Sequence, residues 1–216
     1  MIIERFVNEL MTSNCYVVVD EESKRCIVVD PGSVESGREI EYIKSNGLTP
    51  DYIIISHEHT DHNWGVNSLR EVFPDIKLIC SEECSKHVAV ANKAYFLFYY
   101  DDPTYSYEIA PADILIKKPI ERIVWSNHNI EFYFTPGHSF GSMCIKIDEM
   151  LFTGDTIIPF PPYFNGRDSN RDDWEKSIQK IKGLFLGTTL IYPGHGDKLT
   201  LGQWVENIEN SDNFEF

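Results

Sequence analysis

Basic residues are scarce in this chain. Lys and Arg number 19 against 34 Asp and Glu among 216 residues, a formal net charge of −15. That balance argues against nucleic acid or an anionic membrane surface as a partner. Long apolar runs are missing too. No stretch approaches the roughly 18 apolar residues of a spanning helix. The start, Met1-Ile2-Ile3-Glu4-Arg5-Phe6, carries charge too early for the apolar segment of an export signal. The cysteines (Cys15, Cys26, Cys80, Cys84 and Cys144) are odd in number and scattered, which suits reduced thiols in a cytoplasmic protein and not a disulfide framework. Repeats, low-complexity segments and linkers are lacking, so residues 1–216 are expected to form one domain. With 42% apolar and 13% aromatic residues, material for a core is ample.

What the chain does have is concentrated in one stretch. Asp51-Tyr52-Ile53-Ile54-Ile55-Ser56 reads as a buried strand and runs straight into His57-Glu58-His59-Thr60-Asp61-His62. Three His and an Asp within six residues cannot all reach one ion comfortably, but on a sharp strand-to-helix turn they can point into two adjacent sites. Neutral imidazole and carboxylate are ligands of Zn²⁺ and similar first-row metals. Three further motifs share the pattern: Thr135-Pro136-Gly137-His138-Ser139, Phe152-Thr153-Gly154-Asp155 and Tyr192-Pro193-Gly194-His195-Gly196. Each places a His or Asp just past a strand, beside a Gly that permits a tight turn. Five of the seven histidines lie in these motifs; His87, in a helix, and His128, in a hairpin turn, read as structural or surface residues. Cys80-Ser-Glu-Glu-Cys84 lacks a second cysteine pair and reads as a strand end and helix start with incidental thiols.

Strands are expected at 2–7, 15–20, 25–30, 52–56, 76–80, 121–125, 130–135, 143–147, 150–152 and 189–192. Helices are expected at 36–46, 66–73, 81–91, 172–184 and 201–209. Strands and helices alternate, with hairpins mixed in, so the class is α/β with mixed sheets. From about 94 to 112 the pattern breaks, and Tyr95 to Tyr107 holds seven aromatics in thirteen residues. This insertion reads as a pocket wall at the metal edge, a homodimer surface or core, and these readings stay open.

His-x-His-x-Asp-His, Gly-His-Ser-x-Gly-Ser, Thr-Gly-Asp and Pro-Gly-His-Gly, in that order, resemble the metallo-β-lactamase superfamily. Asn14-Cys15-Tyr16-Val17-Val18 and Val28-Val29-Asp30-Pro31-Gly32 look like the same family's first hairpin. The resemblance implies a four-layer αββα sandwich, with two mixed sheets face to face and metals at one edge. It implies that His57, His59 and His138 hold one metal, that Asp61, His62 and His195 hold the other, and that Asp155 bridges them. Two Zn²⁺ ions are expected, with Fe or Mn possible in their place. The implied chemistry is hydrolysis by a hydroxide lying between the cations, with Asp61 orienting it and relaying its proton.

Within the family the chain is most similar to the glyoxalase II-like thioester hydrolases. Asn165-Gly166-Arg167-Asp168 resembles that group's Gly-Arg-x-Asp segment, and Thr200-Leu201-Gly202 with Glu206-Asn207 resembles the end of its short bacterial forms. Full-length glyoxalase II adds a helical domain with basic residues for glutathione, whereas Lys198 is the sole base among the 21 residues after His195. The expected substrate is therefore a small thioester, ester or lactone. Arg167 and Tyr163 are the expected substrate contacts, and for Arg167 a surface salt bridge is the equal alternative. A mononuclear iron oxygenase like the persulfide dioxygenases is the second functional reading, and a non-catalytic metal-binding scaffold the third.

Overall fold

The computed structural model describes residues 1–9, 11–88, 107–162, 164 and 167–209. The segment 89–106, which carries most of the aromatic insertion, lies outside the described residues, as do Tyr163, Asn165 and Gly166.

Two six-stranded sheets stack face to face. The first is β1 (Ile2–Val7), β2 (Asn14–Asp20), β3 (Arg25–Val29), β4 (Thr49–Ile54), β5 (Lys77–Ser81) and β6 (Ile114–Ile116), in that spatial order. It opens with two antiparallel pairings and continues with three parallel ones. The second runs β12 (Leu199–Thr200), β11 (Leu190–Pro193), β10 (Met150–Gly154), β9 (Met143–Ile147), β8 (His128–Phe134) and β7 (Ile120–Trp125), all antiparallel except β10 with β11.

Three cores separate four layers. Cys15, Val17 and Val19 of β2 face the core under the first sheet's helices, and Tyr16 and Val18 face the core between the sheets. Every residue of β2 is buried, and between Asn14 and Asp20 it reads as a continuous apolar run rather than an alternation. On the outer side of the first sheet lie α1 (Gly37–Ser45), the single turn α2 (Thr60–Asn63), α3 (Val66–Val72) and α4 (Glu82–Val88). On the second sheet lie α5 (Arg171–Leu184) and α6 (Leu201–Glu209). Helix α5 buries Trp174, Ser177, Ile178 and Ile181, one apolar stripe at helical spacing. Asn170 caps it by accepting a bond from the Asp173 amide at 3.0 Å. Both sheets are thus flanked by helices, as the αββα expectation requires. Among the described residues no helix is long and apolar enough to cross a membrane.

Three elements escape a periodicity reading because they are shorter than a period can reveal: α2, β6 and β12. Strand β4 begins three residues before the expected start. The register slips between Cys26 and Ile27 so that Asp51 bulges out, beside Pro50, which has no N–H for the ladder. The turn expected at 126–129 closes sooner, since Trp125 already pairs with His128.

Candidate metal centre

The site is built on strand ends at one end of the sandwich. Strand β4 leads through Ser56 into His57, Glu58 and His59, and α2 then lifts Asp61 and His62. His138 follows β8, Asp155 follows β10 and His195 follows β11. Ligand atoms of His57, His59 and His138 lie within 4.8 Å of one another, as do those of Asp61, His62 and His195 and those of His57, His62 and Asp155. His57 and His62 are fully buried, and Asp61 and Asp155 are nearly so.

In the first cluster His59 Nδ1 lies 3.1 Å from His57 Nε2 and 3.0 Å from His138 Nε2. In the second, His195 Nε2 lies 3.4 Å from His62 Nε2 and 3.3 Å from an Asp61 oxygen. Asp155 reaches both. Its Oδ2 is 3.5 Å from His138 Nε2 and 3.4 Å from His195 Nε2, and its Oδ1 is 3.5 Å from His62 Nε2.

These separations provide a test of fit. Ligands about 2.0–2.1 Å from a tetrahedral ion stand about 3.3 Å apart, close to the values found here. Asp155 Oδ1 is buried with no hydrogen-bond partner among the described residues, a costly state unless a cation is its partner. A Cβ on Gly194 would sit 2.1 Å from that oxygen and 2.8 Å from His62 Cε1, so only glycine leaves this space clear. The residues fit divalent cations, and the donor set of imidazole and carboxylate suits zinc or another first-row metal.

Three of the five imidazoles are held from behind. His57 Nδ1 meets Ser56 Oγ at 2.9 Å, and Ser56 donates to Asp30 at 2.7 Å. His62 Nδ1 lies 3.2 Å from the same Asp30 oxygen. His59 Nε2 meets Asp168 Oδ2 at 2.8 Å. Such outer partners fix the tautomer and ring orientation of a metal-binding histidine.

Loops are tied in the same manner. Glu58 accepts from Ser139 Oγ at 2.9 Å and from the Gly141 amide at 3.2 Å, which joins the His57 turn to the His138 loop. Gly137, at φ 136°, lets that loop meet α5, since a Cβ there would lie 2.2 Å from the Trp174 nitrogen. Asn14 Nδ2 donates to the carbonyls of Pro193 and Gly196, and Tyr16 donates to Pro193, which fixes the His195 loop. Ser13 Oγ holds the Asp61 carbonyl at 2.5 Å.

Proton affinities separate the clusters. Burial pushes His57 down, with His62 and His59 adding to it, and burial takes His138 down to about 4. For His59, burial is outweighed by Asp168, and the imidazole moves up. Burial also opposes charge on His62 and His195, yet Asp61 and Asp155 raise them to about 9 and about 10. Burial opposes charge on Asp61 and Asp155, but His62 and His195 together outweigh it and both carboxyls move down.

All seven expected metal ligands therefore lie together. Arg167 stands exposed on the loop before α5, next to Asp168, and Tyr163 is outside the described residues. The supports Asp30, Ser56, Glu58 and Asp168 were not anticipated as such. A signal existed for Asp30, the final residue of an expected strand in an Asp-Pro-Gly turn, where it adopts φ 54°.

Over residues 9–195 the chain matches the Metallo-beta-lactamase superfamily. Among curated proteins it is 25% identical to an uncharacterized protein of Mycobacterium leprae, with 94% of each chain aligned. It is 24% identical to the probable polyketide biosynthesis zinc-dependent hydrolase BaeB of Bacillus velezensis, over 93% of this chain and 80% of that one. It is 30% identical to the hydroxyacylglutathione hydrolase of Klebsiella pneumoniae over 65% of this chain, spanning 45% of that protein. Among solved structures the fold is shared with BLEG-1 B3 metallo-beta-lactamase (TM-score 0.84, 22% identity, 95% of this chain and 97% of that one). It is also shared with ETHE1 from Myxococcus xanthus (TM-score 0.74, 18% identity, 94% and 81%). With the match spanning most of its length and the fold in agreement, the chain belongs to the metallo-beta-lactamase superfamily.

Proposed function

We propose that the chain is a dinuclear metal-dependent hydrolase of a small thioester, ester or lactone. His57, His59 and His138 would hold one cation and Asp61, His62 and His195 the other, with Asp155 facing both. The observation that carries this reading is Asp155, whose two oxygens face both clusters while Oδ1 lacks a hydrogen-bond partner among the described residues. The names of two relatives, a zinc-dependent hydrolase and a hydroxyacylglutathione hydrolase, support a hydrolytic reaction with zinc as the metal.

When bound, divalent cations lower the pKa of water toward about 7 and polarise a carbonyl oxygen. The chain supplies the rest. Asp61, held through its carbonyl by Ser13, keeps a carboxylate 3.3 Å from His195, where it accepts the proton of the attacking water. Water adds to the acyl carbon, the acyl–sulfur or acyl–oxygen bond breaks, and an acid and a thiol or alcohol leave. Arg167 and Tyr163 belong to this reading as substrate contacts, the segment 94–112 as a pocket wall, a homodimer face or core, and the cytoplasm as the place of action.

Elemental analysis of protein purified without added metal should give about two equivalents of Zn²⁺, or of Fe or Mn in its place, per chain. Asp61→Asn should keep the fold and part of the metal but lose most thioester hydrolysis, because an amide is a poor ligand and accepts no proton. A single iron per chain, with oxygen consumed in the presence of a persulfide, would replace the hydrolase by an oxygenase.

A further inference from the structure

The two lateral edges of the sandwich are closed differently. At the β6–β7 edge the chain itself crosses from one sheet to the other through Lys117–Pro119, and Trp125 Nε1 of β7 donates to Asp51 beneath at 2.7 Å. At the opposite edge, where β1 faces β11 and β12, the sheets leave a cavity of about 420 Å³ lined by Ile3, Arg5, Tyr16, Tyr192, Asp197 and Lys198. None of the six is a ligand of the two clusters.

We propose that this crevice is a second binding site, for a small carboxylate carried on a flat apolar body. Its floor is aromatic. Tyr192 stacks on Phe152 at 5.1 Å and meets Tyr16 edge-on at 5.8 Å. The Tyr16 hydroxyl is committed to the Pro193 carbonyl, whereas the Tyr192 hydroxyl has no hydrogen-bond partner among the described residues. Rings of this kind receive a flat apolar group by offset or edge contact.

The rim selects charge. Only 19 residues of this acidic chain are Lys or Arg, and two of them meet at this one cavity. Arg5 Nη1 donates to the Gly196 carbonyl at 2.9 Å and to Asp197 Oδ1 at 2.8 Å, so this guanidinium already engages a carboxylate at the rim. Asp197 is 88% exposed on its side chain, and an ion pair that open contributes little. A ligand carboxylate can therefore share Arg5 with it. Lys198 has no ion pair among the described residues and supplies the second positive charge. The volume lies within the range of about 300–1,000 Å³ usual for small-molecule sites.

The test uses the full, metal-loaded chain and 2-naphthoate as the probe, with binding followed by saturation-transfer NMR and titration. Naphthoate should bind saturably, and 2-naphthamide, the same body without charge, about fivefold more weakly. Ile3→Trp, which fills the crevice, should abolish binding, and Lys198→Ser, at an exposed position, should weaken it roughly threefold. Metal content should be unchanged in both variants. A carboxylate bound at the metal clusters would ignore both substitutions. Binding that survives them, equal binding of the amide, or no detectable binding at millimolar probe overturns the proposal. Should Ile3→Trp fail to fold, Lys198→Ser and the amide still decide it.

Discussion

The two ligand clusters sit side by side on the same strand ends, yet they hold protons in opposite ways. The first is three imidazoles, and burial among like groups drives His57 and His138 to the neutral form. The second adds the carboxylates of Asp61 and Asp155, which keep His62 and His195 charged against their burial. An imidazole must be neutral to bind a metal. The first cluster can therefore take a cation with little proton traffic, whereas the second must release protons as it fills. Carboxylate count decides this, not depth, since His62 is as buried as His57. His59 is the informative exception: it belongs to the first cluster but is raised against its burial, chiefly by Asp168, with Asp61 and Glu58 adding to it.

The largest effect is expected where the two clusters meet. Asp155→Ala removes the one side chain that faces both, so metal content should fall in each cluster, and activity against a thioester should drop by about a thousandfold or more. Elemental analysis together with turnover checks this. Loss of one equivalent with the other retained at full occupancy would show that Asp155 serves a single cluster.

Next comes the difference in protons. In metal-free protein at pH 7, filling the second cluster should release about two protons, from His62 and His195, while filling the first releases about one at most. Calorimetric titration in buffers of differing ionisation enthalpy counts them. The same groups set the pH dependence of stability without metal. Their folded pKa values, about 9 and about 10, lie above that of a free imidazole. Their contribution is therefore fully present below about pH 6.5 and is lost as pH rises through 9 to 10. Thermal melts of metal-free protein should fall across that window, and metal-loaded protein should not follow.

Much of this architecture was legible in the sequence because its signals are local. Strand β2 holds an apolar run from Cys15 to Val19 buried on both faces, and α3 shows its stripe through Val66 and Leu69. The ligands were legible for a similar reason: four crowd into the six residues after one strand, and His138, Asp155 and His195 each follow a strand beside a glycine. Their supports were not. Asp168 lies 109 positions from the His59 it holds, and Asp30 lies 32 from His62, so no spacing rule connects them. The short elements failed for want of length, as with the three residues of β6 and the two of β12.

Asp168 offers a smaller, sharper test of the comparison. Asp168→Ala should return His59 to the behaviour of its cluster, lowering its proton affinity and loosening its orientation. Outer partners of this kind change metal affinity by about 10–100-fold. The loss should fall on the first cluster alone, so competition with a chromophoric chelator should show one weakened equivalent and one unchanged. Equal weakening of both would mean that Asp168 acts on the loop as a whole.

The smallest effect belongs to Arg167, the neighbour of Asp168 on an exposed loop. If it contacts an anionic part of the substrate, Arg167→Ala removes binding common to ground and transition states. KM should then rise about threefold to tenfold, with kcat unchanged and both metals retained. If it serves instead to place Asp168, the variant should mimic a weak Asp168→Ala, with a partial loss of first-cluster metal and a fall in kcat that added metal restores. Uncharged substrates separate the two further. A substrate contact should lose its effect when the substrate carries no anion, because the substrate then offers the guanidinium no charge. A role through Asp168 should persist whatever the substrate's charge. Unchanged KM, kcat and metal content would reduce Arg167 to a surface ion pair, whose removal is expected to matter little in an open loop.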